Sequence, residues 1–158
     1  MSLVTMFTDA GWSRTHSIGV WAVWAKCNGT RIRYAGQAKM PVLQSGQAEL
    51  VAIANGLSLI ARNFAPNAGS RIIVQTDSEE AMLALQRQFH PRPESMLVLE
   101  HILKFTDEHQ WHLDLRHVKG HSGDVTSRHA VNAWCDTECK RLMTQALRAI
   151  EPELDFVA

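Results

Sequence analysis

Residues 3–38, LVTMFTDAGWSRTHSIGVWAVWAKCNGTRIRYAGQA, open the chain with three runs of strand-forming residues. β-Branched and aromatic residues are concentrated from Leu3 to Asp9 and from Ile18 to Lys26. Asn28-Gly29 then indicates a tight hairpin, because both residues tolerate a positive φ. The run from Arg31 to Ala38 alternates apolar and basic residues, as half-buried strands do. The sequence therefore predicts three consecutive antiparallel strands.

The rest of the chain alternates helical and strand patterns. Apolar residues recur at helical spacing from Gln47 to Phe64, and a short apolar strand follows from Arg71 to Gln75. The remaining predicted elements are a helix from Thr76-Asp77-Ser78 to about His90, a helix from Glu94 to Glu108, a strand from Trp111 to Val118, a loop from Lys119 to Ala130 and a final helix carrying Val131, Cys135, Leu142, Ala146 and Ile150. The order βββαβααβα predicts an α/β fold in which a five-stranded mixed sheet is flanked by helices. We expect residues 1–158 to form a single domain.

Composition excludes several classes of protein. The 158 residues include 46% hydrophobic residues and carry a formal net charge of zero, which argues against a protein that coats nucleic acid through charge alone. Three cysteines without a repeating spacing do not form a disulfide framework. Neither a signal peptide nor a membrane-spanning stretch is predicted. We expect a cytoplasmic protein that does not enter membranes.

Four acidic residues stand where predicted strands and helices meet their connections. Asp9 ends the first strand, Glu49 lies near the start of the first helix, Asp77 follows the fourth strand, and Asp136 lies early in the last helix. Strands one and four are natural neighbours in such a sheet, which would bring Asp9 beside Asp77. Clustered carboxylates repel one another unless a cation organises them, and oxygen ligands suit Mg²⁺ or Mn²⁺. Taken singly, however, Glu49, Asp77 and Asp136 are also ordinary residues for helix starts.

Five segments resemble, in order, the motifs of ribonuclease H, type 1. They are Phe7-Thr8-Asp9-Ala10-Gly11, Gln47-Ala48-Glu49-Leu50, Gln75-Thr76-Asp77-Ser78, His117-Val118-Lys119-Gly120-His121-Ser122-Gly123 and Asn132-Ala133-Trp134-Cys135-Asp136. Any one of these motifs is weak evidence, whereas five in the family order are strong evidence. The resemblance extends from Val4 to about Ile150 and implies a ribonuclease H-like fold.

The resemblance also implies an activity and its residues. The chain would be an endoribonuclease that hydrolyses the RNA strand of RNA–DNA hybrids by a two-metal-ion mechanism, giving 5′-phosphate and 3′-hydroxyl ends. Asp9, Glu49, Asp77 and Asp136 would be catalytic and would hold two Mg²⁺ ions, for which Mn²⁺ substitutes. His121 would move protons and help the product leave.

Residues near these motifs are expected to contact the hybrid. They are Gly11, Trp12, Ser45, Gln47, Ser78, Lys119 and Asn132. Many relatives have a T-N-x-x-x-E stretch that ends at the second carboxylate, where this chain has Gln44-Ser45-Gly46-Gln47-Ala48-Glu49. Ser45 and Gln47 would substitute for that Thr and Asn. Trp12 would either stack on a base or ribose or anchor its loop.

One departure from the family concerns substrate affinity. Some relatives carry a basic protrusion between the third and fourth motifs, whereas Gln86 to Pro93 contains only Arg87 and Arg92 as basic residues besides His90. We therefore expect weak, salt-sensitive hybrid binding by a monomer, or help from a partner such as a replication polymerase. The alternatives are a nuclease of this fold that acts on DNA, of the resolvase or exonuclease type, and a catalytically weak nucleic-acid-binding domain.

Overall fold

The computed structural model describes residues 2–118 and 127–150. The strands are β1 (Leu3–Ser13), β2 (Ile18–Cys27), β3 (Thr30–Gln37), β4 (Arg71–Thr76) and β5 (His112–His117). The helices are α1 (Ser45–Asn63), α2 (Glu79–Leu85), α3 (Pro93–His109) and α4 (Ser127–Ile150). The observed order of elements is the predicted one, βββαβααβα.

The five strands form one mixed sheet in the order β3-β2-β1-β4-β5. β1, β2 and β3 pair antiparallel, whereas β4 is parallel to both β1 and β5. Asn28 and Gly29 have φ values of 50° and 81° in the turn between β2 and β3, as their positive-φ tolerance predicted. The three-stranded meander therefore leaves β1 as the central strand, with β4 on its open side.

Helices cover both faces of the sheet. α1 and α3 pack together on one face over a core that includes Met6, Ile53 and Ile102. α4 packs on the opposite face over a smaller core that includes Phe7 and Cys139. Because successive residues of a strand face opposite sides, Met6 and Phe7 contribute to different cores.

Three predicted boundaries differ from the structure by four residues or more. β1 was expected to end at Asp9 but continues to Ser13, because its last residues keep pairing with β2, down to Ser13 opposite Ile18. α2 was expected to reach about His90 but ends at Leu85, and Arg87 has a φ of 60°, a conformation that terminates helices. α4 begins at Ser127, inside the segment expected to be a loop.

Within residues 2–118 and 127–150, no helix has the length and apolar character needed to cross a membrane.

The packing of α1 on β1 in the larger core depends on Gly56 of α1. A Cβ added at Gly56 would lie 2.3 Å from Met6 Sδ and 3.1 Å from Met6 Cε. This space allows α1 to lie directly on β1, so the helix that carries Glu49 is positioned by a glycine.

We expect Gly56→Ala to lower the free energy of unfolding by roughly 1–3 kcal/mol, because the added methyl group overpacks the core against Met6. Ser58→Ala on the same helix is the control and should change the free energy of unfolding by less than about 0.5 kcal/mol. Urea denaturation measures both. A stabilised Gly56→Ala protein, as expected from helix propensity alone, would contradict this account of the contact.

Candidate active site

Parallel pairing of β1 with β4 brings Asp9 and Asp77 together. The last pair in this register is Thr8 with Thr76, so the two acids are the next residues on neighbouring strands. Asp9 is 6% exposed and accepts a hydrogen bond from the Ala10 amide at 2.9 Å, whereas Asp77 is exposed. The predicted neighbourhood of these two carboxylates is confirmed.

Glu49 of α1 completes a cluster with Asp9 and Asp77. One carboxylate oxygen from each of the three residues can be chosen so that all lie within 4.8 Å of one another. Glu49 is the fifth residue of α1, and α1 packs on β1 and β2. Three elements that are distant in sequence thus converge on one group of oxygens.

Burial and mutual repulsion raise the pKa of the inner acids. The pKa of Asp9 is raised from 3.8 to about 7, mainly by burial and then by the charges of Asp77 and Asp136. The pKa of Glu49 is raised well above its usual value, mainly by burial and then by Asp77 and Asp9. Holding these carboxylates ionised therefore requires a compensating positive charge.

The donor set suits a divalent cation. Among the described residues, Glu49 Oε2 is buried and has no hydrogen-bond partner, although a buried carboxylate oxygen ordinarily has one. All ligand atoms of the cluster are carboxylate oxygens, which Mg²⁺ and Mn²⁺ prefer. The cluster therefore fits the predicted metal ion, and its chemistry alone does not distinguish between hard divalent cations.

Asp136 lies on α4 and approaches the cluster from the other face of the sheet. Its charge contributes to the raised pKa of Asp9, which indicates proximity to that carboxylate. Asp136 is not one of the three residues whose oxygens meet within 4.8 Å, and its Oδ2 is 2.9 Å from Lys140 Nζ. Asp136 is thus beside the cluster rather than inside it.

Buried thiols support α4 where it passes the carboxylates. Cys135 and Cys139, four residues apart on α4, are both buried in the smaller core. Burial, followed by the charge of Asp9, raises the pKa of Cys135 to about 12 and raises that of Cys139 further. Both side chains therefore stay uncharged thiols at neutral pH.

Trp12 and Gln47, two of the expected hybrid contacts, make internal hydrogen bonds. Trp12 lies in β1, and its indole Nε1 donates to the carbonyl of Val42 at 2.9 Å. Gln47 is 4% exposed; its Oε1 accepts from the Leu43 amide at 2.8 Å, and its Nε2 points to the Pro41 carbonyl at 3.5 Å. Of the two readings for Trp12, the structure therefore favours the anchor. Both side chains hold the loop between β3 and α1 in place.

The other expected contacts have varied surroundings. Ser45 is exposed at the first turn of α1, and Asn132 is half-buried on α4. Ser78 caps α2 by accepting a hydrogen bond from the Ala81 amide at 3.1 Å. A Cβ at Gly11 would lie 2.9 Å from Val20 Cγ2, so this position is packed against β2. Lys119 and His121 lie outside the described residues.

Glu80 contacts the start of α1, the helix that carries Glu49, and the sequence did not predict this contact. The N-cap residue of α1, Gln44, makes no side-chain cap hydrogen bond, and the first turn of α1 contains no acidic residue. A Cβ at Gly46 would lie 3.0 Å from Cδ and from both carboxylate oxygens of Glu80, so this group lies against the first turn of α1. A carboxylate favours that position because the helix dipole is positive there. In the sequence, the signal for this contact is Gly46 in the first turn of α1, a turn that contains no acidic residue.

A family model described as RNase H matches residues 1–144 of the chain. The chain belongs to the RNase H family. The resemblance to ribonuclease H is thereby confirmed, and the protein is a ribonuclease H. No curated protein is similar enough in sequence to count as a match.

Solved structures of other RNases H share the fold of this ribonuclease H. The N-terminal RNase H domain of a Mycobacterium tuberculosis protein, fused to maltose-binding protein, has a TM-score of 0.70 at 13% identity, covering 95% of this chain and 99% of that chain. RNase H1 of the archaeon Halobacterium salinarum has a TM-score of 0.68 at 14% identity, covering 90% and 98%. LC11-RNase H1, solved in complex with an RNA/DNA hybrid, has a TM-score of 0.71 at 17% identity, covering 91% and 99%. At these identities the similarity establishes the common fold.

We expect the metal-free enzyme to lose stability as pH rises from about 4 to 7. Because the pKa of Asp9 is raised to about 7, the folded state keeps a proton in this range that the unfolded state releases. A pKa change of this size corresponds to about 4 kcal/mol. Asp9→Asn should remove the part of the pH dependence that Asp9 contributes, and the raised pKa of Glu49 should leave the remainder. Denaturation at several pH values in EDTA measures it, with exposed Asp107→Asn on α3 as the control.

Divalent cations should oppose this loss, because they bind the ionised carboxylates. Mg²⁺ should therefore raise the melting temperature more at pH 8 than at pH 5.5. An equal effect of Mg²⁺ at both pH values, or an unchanged pH dependence in Asp9→Asn, would contradict the electrostatic account of the cluster.

The contact between Gly46 and Glu80 predicts coupled effects on stability. In the Glu80→Ala background, Gly46→Ala should raise the free energy of unfolding by about 0.5–1 kcal/mol, the usual gain for this change in a helix. With Glu80 present, the added methyl group meets the carboxylate and most of that gain should vanish. A double-mutant cycle by urea denaturation measures the coupling, and additive effects would disprove the contact.

Proposed function

We propose that this ribonuclease H hydrolyses the RNA strand of RNA–DNA hybrids with two divalent metal ions, leaving 5′-phosphate and 3′-hydroxyl ends. The observation that carries the proposal is the convergence of Asp9, Glu49 and Asp77 within 4.8 Å in a chain of the RNase H family. The complex of LC11-RNase H1 with an RNA/DNA hybrid supports the choice of substrate.

Mg²⁺ is the proposed cation, with Mn²⁺ as a substitute, because every ligand in the cluster is a carboxylate. Asp9, Glu49 and Asp77 would hold one ion, and Asp136 would join Asp9 in holding the second. When bound, such a pair of ions lowers the pKa of the attacking water and stabilises the leaving oxygen.

The chain's own residues orient the substrate and supply its surroundings. Burial of Asp9 and Glu49 keeps their oxygens away from bulk water, so the charges they present are weakly screened. Ser45, at the exposed start of α1, and Ser78 and Asn132 near the acids remain our proposed contacts to the hybrid, with Gly11, Lys119 and the internally bonded Trp12 and Gln47. We propose that His121 moves a proton and aids product release.

The functional context we propose is a cytoplasmic monomer whose residues 1–158 form one catalytic domain. The formal net charge of zero provides little long-range attraction for a hybrid. Binding should therefore weaken steeply with added salt, unless a partner such as a replication polymerase delivers the substrate.

The test compares four labelled substrates: RNA–DNA hybrid, duplex RNA, duplex DNA and single-stranded RNA. Each is incubated with Mg²⁺, Mn²⁺ or EDTA and with wild-type, Asp77→Asn, Glu49→Gln or Asp107→Asn protein. We expect cleavage of RNA in the hybrid alone, dependent on metal. Asp77→Asn and Glu49→Gln should lower the rate at least about a hundredfold, because even loss of residues behind metal ligands costs roughly 10–100-fold.

Asp107→Asn is the matched control, since Asp107 is an exposed aspartate on α3, and its rate should equal that of the wild type. Cleavage of duplex DNA that disappears in Asp77→Asn would overturn the choice of substrate and favour a DNA nuclease of the same fold. Folded wild-type protein that cuts none of the substrates would instead favour a nucleic-acid-binding domain.

A further inference from the structure

Lys140 lies one helical turn beyond Asp136 and forms an ion pair with it. Lys140 Nζ is 2.9 Å from Asp136 Oδ2, and the two side chains are 74% and 42% exposed. An acid placed four residues before a lysine is the favourable orientation for such a pair on a helix. Asp136, the acid that lies beside the cluster, therefore already has a positively charged partner.

The ammonium group of Lys140 also acts on the buried part of the site. Its charge lowers the pKa of Asp9, while the charge of Asp136 raises it. Lys140 is thus close to both carboxylates that the proposed function assigns to the second metal ion. A divalent cation bound by Asp9 and Asp136 would have to compete with Lys140 for the Asp136 carboxylate.

We propose that Lys140 is a placeholder cation for the second metal position. It neutralises Asp136 in the metal-free enzyme and competes with the ion that Asp136 binds, so it sets the metal concentration at which this position fills. This inference rests on the proposed two-ion function. It adds a residue that controls metal occupancy and is not itself a ligand.

The ion pair between Lys140 and Asp136 is exposed, so it can open when a metal ion binds. Ion pairs between exposed side chains on a helix are weak, so a divalent cation can displace the ammonium group without large cost. Once displaced, the flexible lysine side chain remains beside the site and still repels a cation there. Removing its charge should therefore strengthen the weaker metal position and leave the Asp9–Glu49–Asp77 position almost unchanged.

The neighbouring residue provides a matched control. Arg141 carries the same charge on the same helix, but its Nη2 pairs with Glu138 Oε2 at 2.7 Å, and Glu138 is not among the proposed metal ligands. Lys140→Met and Arg141→Met remove one positive charge each from adjacent positions. Any difference between them reports the position of the charge and not the net charge of the protein.

The experiment is a titration of the 158-residue chain with Mn²⁺, monitored by calorimetry and by the electron paramagnetic resonance signal of free Mn²⁺. We expect two binding steps in the wild type. In Lys140→Met, the dissociation constant of the weaker step should fall about three- to fivefold, which is the upper part of the range expected for loss of one exposed ion pair. In Arg141→Met it should change less than about twofold, and Lys140→Arg should resemble the wild type.

Three results would overturn the inference. They are an unchanged or weaker second step in Lys140→Met, an equal gain in Arg141→Met, and a single bound ion in every variant. Melting temperatures in EDTA verify that each variant is folded. Because the readout is metal binding, it is separate from hybrid cleavage: a failed cleavage assay with the expected Mn²⁺ shift would disprove the proposed substrate and keep the role of Lys140.

Discussion

The parallel pairing of β1 with β4 is the constraint on which the rest of the site depends. It sets Asp9 beside Asp77 at the point where β4 ends, and it does so although like charges oppose this arrangement. The backbone hydrogen bonds of the sheet and the two cores on its faces hold the strands in this register. The folded chain thus presents closely spaced carboxylates, and burial, followed by repulsion from Asp77, raises the pKa of Asp9.

Much of this arrangement could be predicted from the sequence. Alternation and turn residues specify strands well, because a one-residue shift would expose a whole apolar face. The sequence also predicts that strands one and four are neighbours, and this order places Asp9 near Asp77. The order of the motifs identified Glu49 as the third acid of the site. The helical pattern alone could not, because acidic residues are common near helix starts for electrostatic reasons.

The parts that could not be predicted depend on contacts between distant segments. Nothing local shows that Trp12 bonds to the Val42 carbonyl, because the indole donor only meets its acceptor after β1 extends past Asp9. Glu80 reaches the first turn of α1 from another helix, so neither sequence neighbourhood reveals the contact. The pairing of Asp136 with Lys140 was visible as a four-residue spacing, but its importance depends on Asp9 lying nearby, which is a tertiary fact.

The carboxylates come from both faces of the sheet, Glu49 from the α1 side and Asp136 from the α4 side. This distribution has a consequence for synthesis on the ribosome. A nascent chain that has emerged only as far as β5 already contains Asp9, Glu49 and Asp77, yet the fourth acid and the helix that covers the smaller core are still inside the exit tunnel. Asp136 can therefore join the other three acids only after α4 has emerged and packed on the sheet, so the site is assembled in two stages, with the α1 side ahead of the α4 side.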